Sequence, residues 1–360
     1  MGKELNSSGL GIDLGPVNVS CLCFADDLVL IGRSRSGLDS LMTKTRNFFL
    51  HHHLEISVTK SKIMSFDAQT GKTLFQDSIN SSSLLLDQVI SFKYLGVPLN
   101  CSPYHLFNCF NKQVQQRAQS YLSRVLSLVK SGPDRSSLAY TLWNQVAIPS
   151  IIYGSEVIPL TQGTINEVER CQSAVGKFIL QIPRSSACVS ANIDAGFKPI
   201  KFILAEKVIL YANSTMSKPA TFWPKLAMNE NINLGSKSPY TRYLLRLKTA
   251  TGSFGLSRQQ TLSSIRKAAI THILDQQRTV STTTFAMNAP RPLTSVNRWF
   301  KPKPWLSDSG FSKIFAQFRA GNTGLGNRGP AKDGGKYKLC PLCIQFGQRA
   351  LNNKVGTTID

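Results

Sequence analysis

Apolar residues fall into distinct patterns along the first hundred positions. Val17 to Phe24 and Leu28 to Ile31 are short, nearly continuous runs of Val, Leu, Ile, Phe and Cys, with Pro16 before them and Gly32 after. Short apolar runs bounded by turn residues predict buried strands. Only Ala25-Asp26-Asp27 separates the two, so the simplest geometry is a β-hairpin with the aspartates at its tip. Leu38, Leu41, Met42, Thr45, Phe48 and Phe49 recur at helical spacing. They predict a helix that starts near Ser36 or Gly37 and packs beneath a sheet. Leu54 to Phe66 alternates toward a strand, which would put Lys60 and Lys62 on one side. Phe92 to Leu99 predicts a second hairpin, with Gly96 and Pro98 as turn residues.

Beyond residue 100 the period becomes helical. Ala118, Leu122, Val125, Leu126 and Val129 form a stripe, with Gln113, Gln116, Arg117 and Arg124 largely off it. Further helices are expected from about Ser136 through Trp143, from Ile165 to Leu180 before Pro183, from Ile200 to Tyr211 and from Tyr240 to Leu247. Residues 320–337 are rich in Gly and basic, which suits a linker or a flexible nucleic-acid contact. The fold class is therefore α+β: hairpins and a helix first, then mainly helix. No internal repeat and no phosphate-cradling GxxxxGK[ST] loop occurs.

Charge changes this picture more than composition does. A chain of 360 residues has room for two or three domains. Its formal charge is +22, yet residues 1–100 hold nine Lys/Arg and nine Asp/Glu, so all of the excess lies after them. The stretch 231–340 alone carries 18 basic and three acidic residues. There Arg298, Lys301 and Lys303 alternate with Trp299, Phe300 and Trp305, a pattern that suits phosphate binding with base stacking. A solvated basic tail would show the same composition. No apolar run approaches the length of about 18 residues that a membrane span needs, so no membrane partner is expected. The eight cysteines are irregularly spaced in a long chain, which favours a reduced, intracellular protein, nuclear or cytoplasmic.

Adjacent carboxylates between apolar strands repel one another, and burial penalises their ionised form. Mg²⁺ would resolve the conflict, because it takes carboxylate oxygens and keeps positions open for water and phosphates. A pair of such ions can stabilise both the attacking and the leaving oxygen in phosphoryl transfer. A plain Asp-Asp turn facing solvent remains the alternative. With these residues in view, "FADDLVLIG" resembles the aromatic-x-Asp-Asp box of reverse transcriptases. "SGLDSLMTKTRNFFLHHHLEISVTKSKIMSF" and "FKYLGVPLN" resemble the following helix, Lys-x-Lys strand and primer-grip hairpin of the non-LTR (LINE-type) retrotransposon branch. The likeness runs in order and spacing over residues 9–100. It thins over 101–185, where "PSIIYGSEVIPL" and "FILQIPRSS" resemble thumb segments, and then returns only at "CPLC".

The resemblance implies an RNA-directed DNA polymerase that extends a DNA primer on an RNA template, using deoxynucleoside triphosphates and two Mg²⁺ ions. Residues 1–100 would be the C-terminal part of its palm, 101–185 a helical thumb, 186–337 a basic helical connector and 338–360 a zinc-knuckle-like tail. Asp26 would be a direct metal ligand and Asp27 its support. Lys60 would stand near the departing pyrophosphate, with a solvent-facing edge lysine as the alternative. Phe24 would face the primer end, and Tyr94, Gly96, Arg117 and Arg124 would contact primer and template, although Tyr94 could equally serve as a core aromatic. Cys340 and Cys343 have the spacing that grips one side of a Zn²⁺. The family's downstream His and Cys are absent, so the pair is half a zinc site or binds no metal. The family's fingers and its earlier palm aspartate also have no counterpart before Asp26, and Asp13 does not match that aspartate. This chain is thus expected to be a C-terminal half with no polymerase activity by itself. The alternative is a non-catalytic nucleic-acid-binding protein derived from such an enzyme.

Overall fold

The computed structural model describes residues 1–66, 79–81, 84–130 and 135–281. Along the chain run α1 (Gly2–Asn6), β1 (Ile12–Leu14), β2 (Val17–Val19), β3 (Cys21–Phe24), β4 (Asp27–Leu30) and α2 (Arg35–His51). Next come β5 (Lys62–Ile63), β6 (Ile79–Ser81), β7 (Leu84–Gln88), β8 (Ser91–Tyr94) and β9 (Val97–Asn100). The remainder is helical: α3 (Pro103–Leu128), α4 (Arg135–Leu142), α5 (Ile148–Ile151), α6 (Gln162–Ile179), α7 (Cys188–Ala195), α8 (Ile200–Met216), α9 (Trp223–Asn233), α10 (Pro239–Thr251) and α11 (Arg258–Ser281). Small sheets followed by helices agree with an α+β class.

Two compact units interleave along the sequence. The first comprises Met1–Gln113, Glu156–Leu160 and Val208–Arg246. Its sheets are three antiparallel pairs, β1-β2, β3-β4 and β8-β9, and a three-stranded sheet in the order β5-β7-β6, with β5 parallel to β7. The predicted helical stripe is real. Leu41 is fully buried beside Leu5 and Cys21, while Leu38 and Met42 pack on Ile63 and Leu86. Ser34 starts α2, its Oγ accepting from Gly37 N at 3.1 Å. Helix α9 packs on β1. Gly11 sits against β2 so closely that a Cβ there would lie 2.1 Å from Val19 O, which excludes any side chain.

The apolar run Val17 to Phe24 is not one strand. It breaks at Ser20, and the two halves pair with different partners, β1 and β4. Asn6 causes the break, because its Oδ1 accepts from Ser20 N at 2.7 Å and Cys21 N at 2.9 Å, while its Nδ2 donates to Cys21 O. The strand expected over Leu54 to Phe66 also shrinks, to Lys62–Ile63. Ser57 O accepts from Ser61 N, and the Ser57 and Thr59 hydroxyls lie 3.3 Å apart. Such local bonds hold a turn in competition with a ladder.

The second unit comprises Val114–Ser155, Thr161–Lys207 and the chain from Leu247. Of the predicted stripe Ala118, Val125 and Val129 are buried in it and Leu122 and Leu126 are half-buried, while Val114 joins the same core unannounced. Pro149 lacks an N–H and its ring crowds the carbonyl four residues back. A π-helical turn over Trp143–Ala147 absorbs the misfit just before it. Helices α6 and α7 pack closely, with the position of a Cβ on Gly176 only 3.0 Å from Ala191 O. Trp143 Nε1 donates to Gln172 Oε1, and Gln172 Nε2 donates to Lys198 O at 3.1 Å. Among the described residues, no helix is long and apolar enough to cross a membrane.

Candidate functional site

The hairpin expected from the sequence forms, but its two aspartates face solvent instead of being drawn into burial by the flanking strands. Strands β3 and β4 pair in the register Cys21↔Leu30, Leu22↔Val29, Cys23↔Leu28 and Phe24↔Asp27, which leaves Ala25-Asp26 as a two-residue turn. Cys21, Leu28 and Leu30 lie in one core cluster, anchoring this hairpin to the unit. Asp26 and Asp27 are exposed, and Phe24 beside them is 62% exposed. Ala25 has φ 53°. Left-handed backbone at the first turn position normally calls for Gly, and for alanine it costs about 1–2 kcal/mol. Strain of this kind persists only where the surroundings hold it, and functional sites collect it.

The second predicted hairpin comes near the first. Its strands pair Tyr94↔Val97, so Leu95-Gly96 is the turn, with φ 46° and 80°. Both residues being left-handed is the backbone pattern of a type I′ turn. Gln113 Nε2 reaches Gly96 O at 3.4 Å. The Tyr94 phenol titrates above its usual value, first through burial and then through the Asp27 carboxylate and the Cys23 and Cys21 thiols. Tyr94 is thus within electrostatic reach of Asp27.

Other predicted residues are placed differently. Lys60 is exposed and lies in the turn before β5, not on a strand. Lys62 is the one on the strand, and its Nζ pairs with Asp87 at 2.5 Å. Asp13 is engaged by Arg33 and by Asn18 Nδ2, leaving it poorly placed as a metal ligand. Arg117 and Arg124 belong to the second unit: Arg117 Nη1 donates to Tyr153 O at 3.5 Å, and the Arg124 guanidinium lies 5.7 Å from the Tyr121 ring centre. Burial lowers the Arg117 pKa. Cys340 and Cys343, the aromatic-basic stretch 298–305 and the Gly-rich 320–337 lie outside the described residues.

Adjacent exposed carboxylates, one in the turn and one at the start of β4, suit a hard cation such as Mg²⁺. Among the described residues no group of three or more His, Cys, Asp and Glu is gathered for a metal. The hairpin therefore offers part of a donor set. Sequence reasoning missed a cavity of about 750 Å³ in the second unit, where Arg135, Arg170, Lys177 and Arg184 surround apolar surface from Leu126 and Phe178. No Asp or Glu is among its described lining residues. Arg170 and Lys177 share one helix and Arg184 follows it, but Arg135 comes from α4, so no single run announced the group.

Comparison with known proteins supplies the remaining context. Residues 4–99 match the reverse transcriptase (RNA-dependent DNA polymerase) family. The chain is also 24% identical over 170 residues to the retrovirus-related Pol polyprotein from type-1 retrotransposable element R2 of Popillia japonica. That alignment covers 46% of this chain and 22% of the relative, so the chain spans about a fifth of the relative's length. No solved structure matches. The matched span holds both hairpins and α2, and over it the chain is similar to reverse transcriptases and to the polyprotein of a non-LTR retrotransposon.

Proposed function

We propose that this chain supplies the aspartate hairpin and an adjoining nucleic-acid-binding region of an RNA-directed DNA polymerase, one that extends a DNA primer on an RNA template. The observation that carries the reading is the β3-β4 hairpin. It combines two exposed aspartates, a strained Ala25 before them, an exposed Phe24 opposite Asp27, and Tyr94 in electrostatic reach. In this reading Asp26 holds catalytic Mg²⁺ directly and Asp27 supports it, with a carboxylate from outside the hairpin completing a two-ion set. The ions would neutralise charge on a triphosphate and activate the primer hydroxyl. Phe24 and the Tyr94-Gly96 turn would position the primer end. Lys60 would neutralise the leaving pyrophosphate from its turn. Arg117, Arg124 and the cation-ringed cavity would hold template and duplex through phosphates. Cys340 and Cys343 would give two of the four ligands of a zinc site.

The cavity also favours a second reading, a nucleic-acid-binding protein without catalysis. Incorporation of labelled nucleotide on an RNA template separates the two. The 360 residues alone should give no extension with Mg²⁺ or Mn²⁺, since a single turn cannot hold two ions in line with primer and triphosphate. Joined behind the reverse transcriptase segment that precedes this hairpin in a non-LTR relative, they should extend the primer. Asp26→Asn should then remove at least about 100-fold of the rate. A fusion that folds, binds template and stays inactive would favour the binding protein. Equal activity in Asp26→Asn would remove the hairpin from the chemistry.

A further inference from the structure

Cys21 and Cys23 precede the aspartate turn on β3, and their Sγ atoms lie 3.4 Å apart. Both are free thiols, Cys21 buried and Cys23 exposed. They face an open cleft of about 400 Å³ lined also by Gly2, Lys3, Asn6 and Trp223. Asn6 bonds both the N–H and the carbonyl of Cys21, and a Cβ added at Gly2 would come 3.7 Å from Cys23 Sγ. Nothing in the proposed polymerase chemistry uses these thiols.

Three things could join two such sulfurs: a disulfide, a hard or borderline metal, or a soft cation. Two strand residues at about 3.4 Å each separate the Cα atoms by about 6.8 Å. That is the far limit of disulfide geometry, so oxidation would strain β3. Zn²⁺ takes four ligands in a closed site. Among the described residues no third His, Cys, Asp or Glu joins the pair. A soft cation of low coordination number needs only the two thiolates, and thiolates select it. Two bonds of roughly 2.3 Å to one centre easily span the sulfur separation. Exposed Cys23 has room to adjust the bite. We propose that Cys21 and Cys23 form a chelating dithiol for a soft, low-coordinate cation, with Cu(I) as its biological member, and that a small thiol entering the cleft can fill a third position.

Binding replaces two S–H bonds by two S–metal bonds and releases two protons to solvent, with no change of oxidation state. Burial, and then the neighbouring Cys23 thiol, push the Cys21 pKa up to about 12. Cation capture should therefore strengthen as pH rises. The N-terminal ammonium of Met1 opposes part of the upward shift in Cys21.

The test uses the full chain carrying Cys340→Ser and Cys343→Ser, which removes the other closely spaced pair and leaves six cysteines. Phenylarsine oxide is the first probe. Its arsenic bonds to both sulfurs while its oxygen leaves with the two thiol protons as water. Cu(I) in competition with a bathocuproine chelator is the second. One probe should bind per chain and hide two of the six thiols from a colorimetric thiol reagent. Cys23→Ser, at an exposed position, should leave thermal unfolding unchanged and weaken capture of both probes at least about tenfold. Because Trp223 lines the cleft, binding should change tryptophan fluorescence, and Trp223→Phe should remove that change. Undiminished capture by Cys23→Ser, or capture of the arsenical without Cu(I), would overturn the proposal.

Discussion

Ala25 is the residue on which the aspartate hairpin turns. Its φ of 53° fixes the direction in which Asp26 leaves β3. Glycine would relieve about 1 kcal/mol of strain, yet would let the turn sample more shapes. Ala25→Gly should thus raise thermal stability slightly and weaken Mn²⁺ binding, while Asp26→Asn should weaken it more than Asp27→Asn. Electron paramagnetic resonance titration of Mn²⁺ on the three variants checks this ordering. Tighter binding in Ala25→Gly would mean that the strained turn does not preorganise the pair. The aspartates and their turn were legible from local pattern, since a break between two apolar runs suffices. Asn6 was not: one asparagine in a short helix carries no sign that it will cap Ser20 and Cys21 fourteen and fifteen residues on. Lys60 was misplaced because alternation alone cannot weigh the hydroxyl bonds of Ser57 and Thr59.

Helix α6 shows what an element does beyond burying its stripe. Its Glu169 accepts from Asn192 Nδ2 of α7 at 2.8 Å and from Ile200 N, the first residue of α8, at 2.7 Å. Burial outweighs both bonds and the Lys201 charge, so the carboxyl titrates at about 7, above its ordinary 4.5. Below pH 4.5 it is neutral in the folded and unfolded chain alike. As pH rises toward 7 the unfolded chain releases the proton while the folded one keeps it, so stability falls. Above about 7 the loss is complete, at most about 3 kcal/mol. Glu169→Gln should be neutral throughout. Its amide can also donate to Asn192 Oδ1, a buried oxygen with no partner, once that side chain flips. Melting curves should show the variant more stable than the parent at pH 8 and the two converging near pH 4.5. Parallel curves across that range would refute the assignment. Periodicity announced α6 and most of α3, because a buried face repeats. It could not announce a carboxylate that staples three helices, since that role is set by which helices arrive.

At the scale of the whole molecule, charge dominates. All of the +22 lies beyond residue 100. The first unit shares in it, because Val208–Arg246 contributes five Lys/Arg against one Glu. Binding of the intact chain to an RNA–DNA duplex should fall at least about 100-fold between 50 and 200 mM salt. Arg135→Glu with Arg184→Glu should flatten the logarithmic slope by about two or more. Filter binding across a salt series reads both, and an unchanged slope would show that the cavity does not meet phosphate. The net charge was plain in the sequence. The interleaving of units was not, since β1 and α9 meet across some two hundred intervening positions that leave no local period.

That interleaving bears on how the chain is made. Ribosomes add about 5–20 residues per second. The hairpin carrying Asp26 and Asp27 therefore emerges on the order of ten seconds before Arg246 supplies the last part of its unit. Until then its apolar strands have only part of their packing, and a holding chaperone would find them accessible. The same logic governs a damaged gene. A stop codon falling between residues 113 and 208 would spare every residue of the aspartate hairpin and still deny it the segment that covers β1.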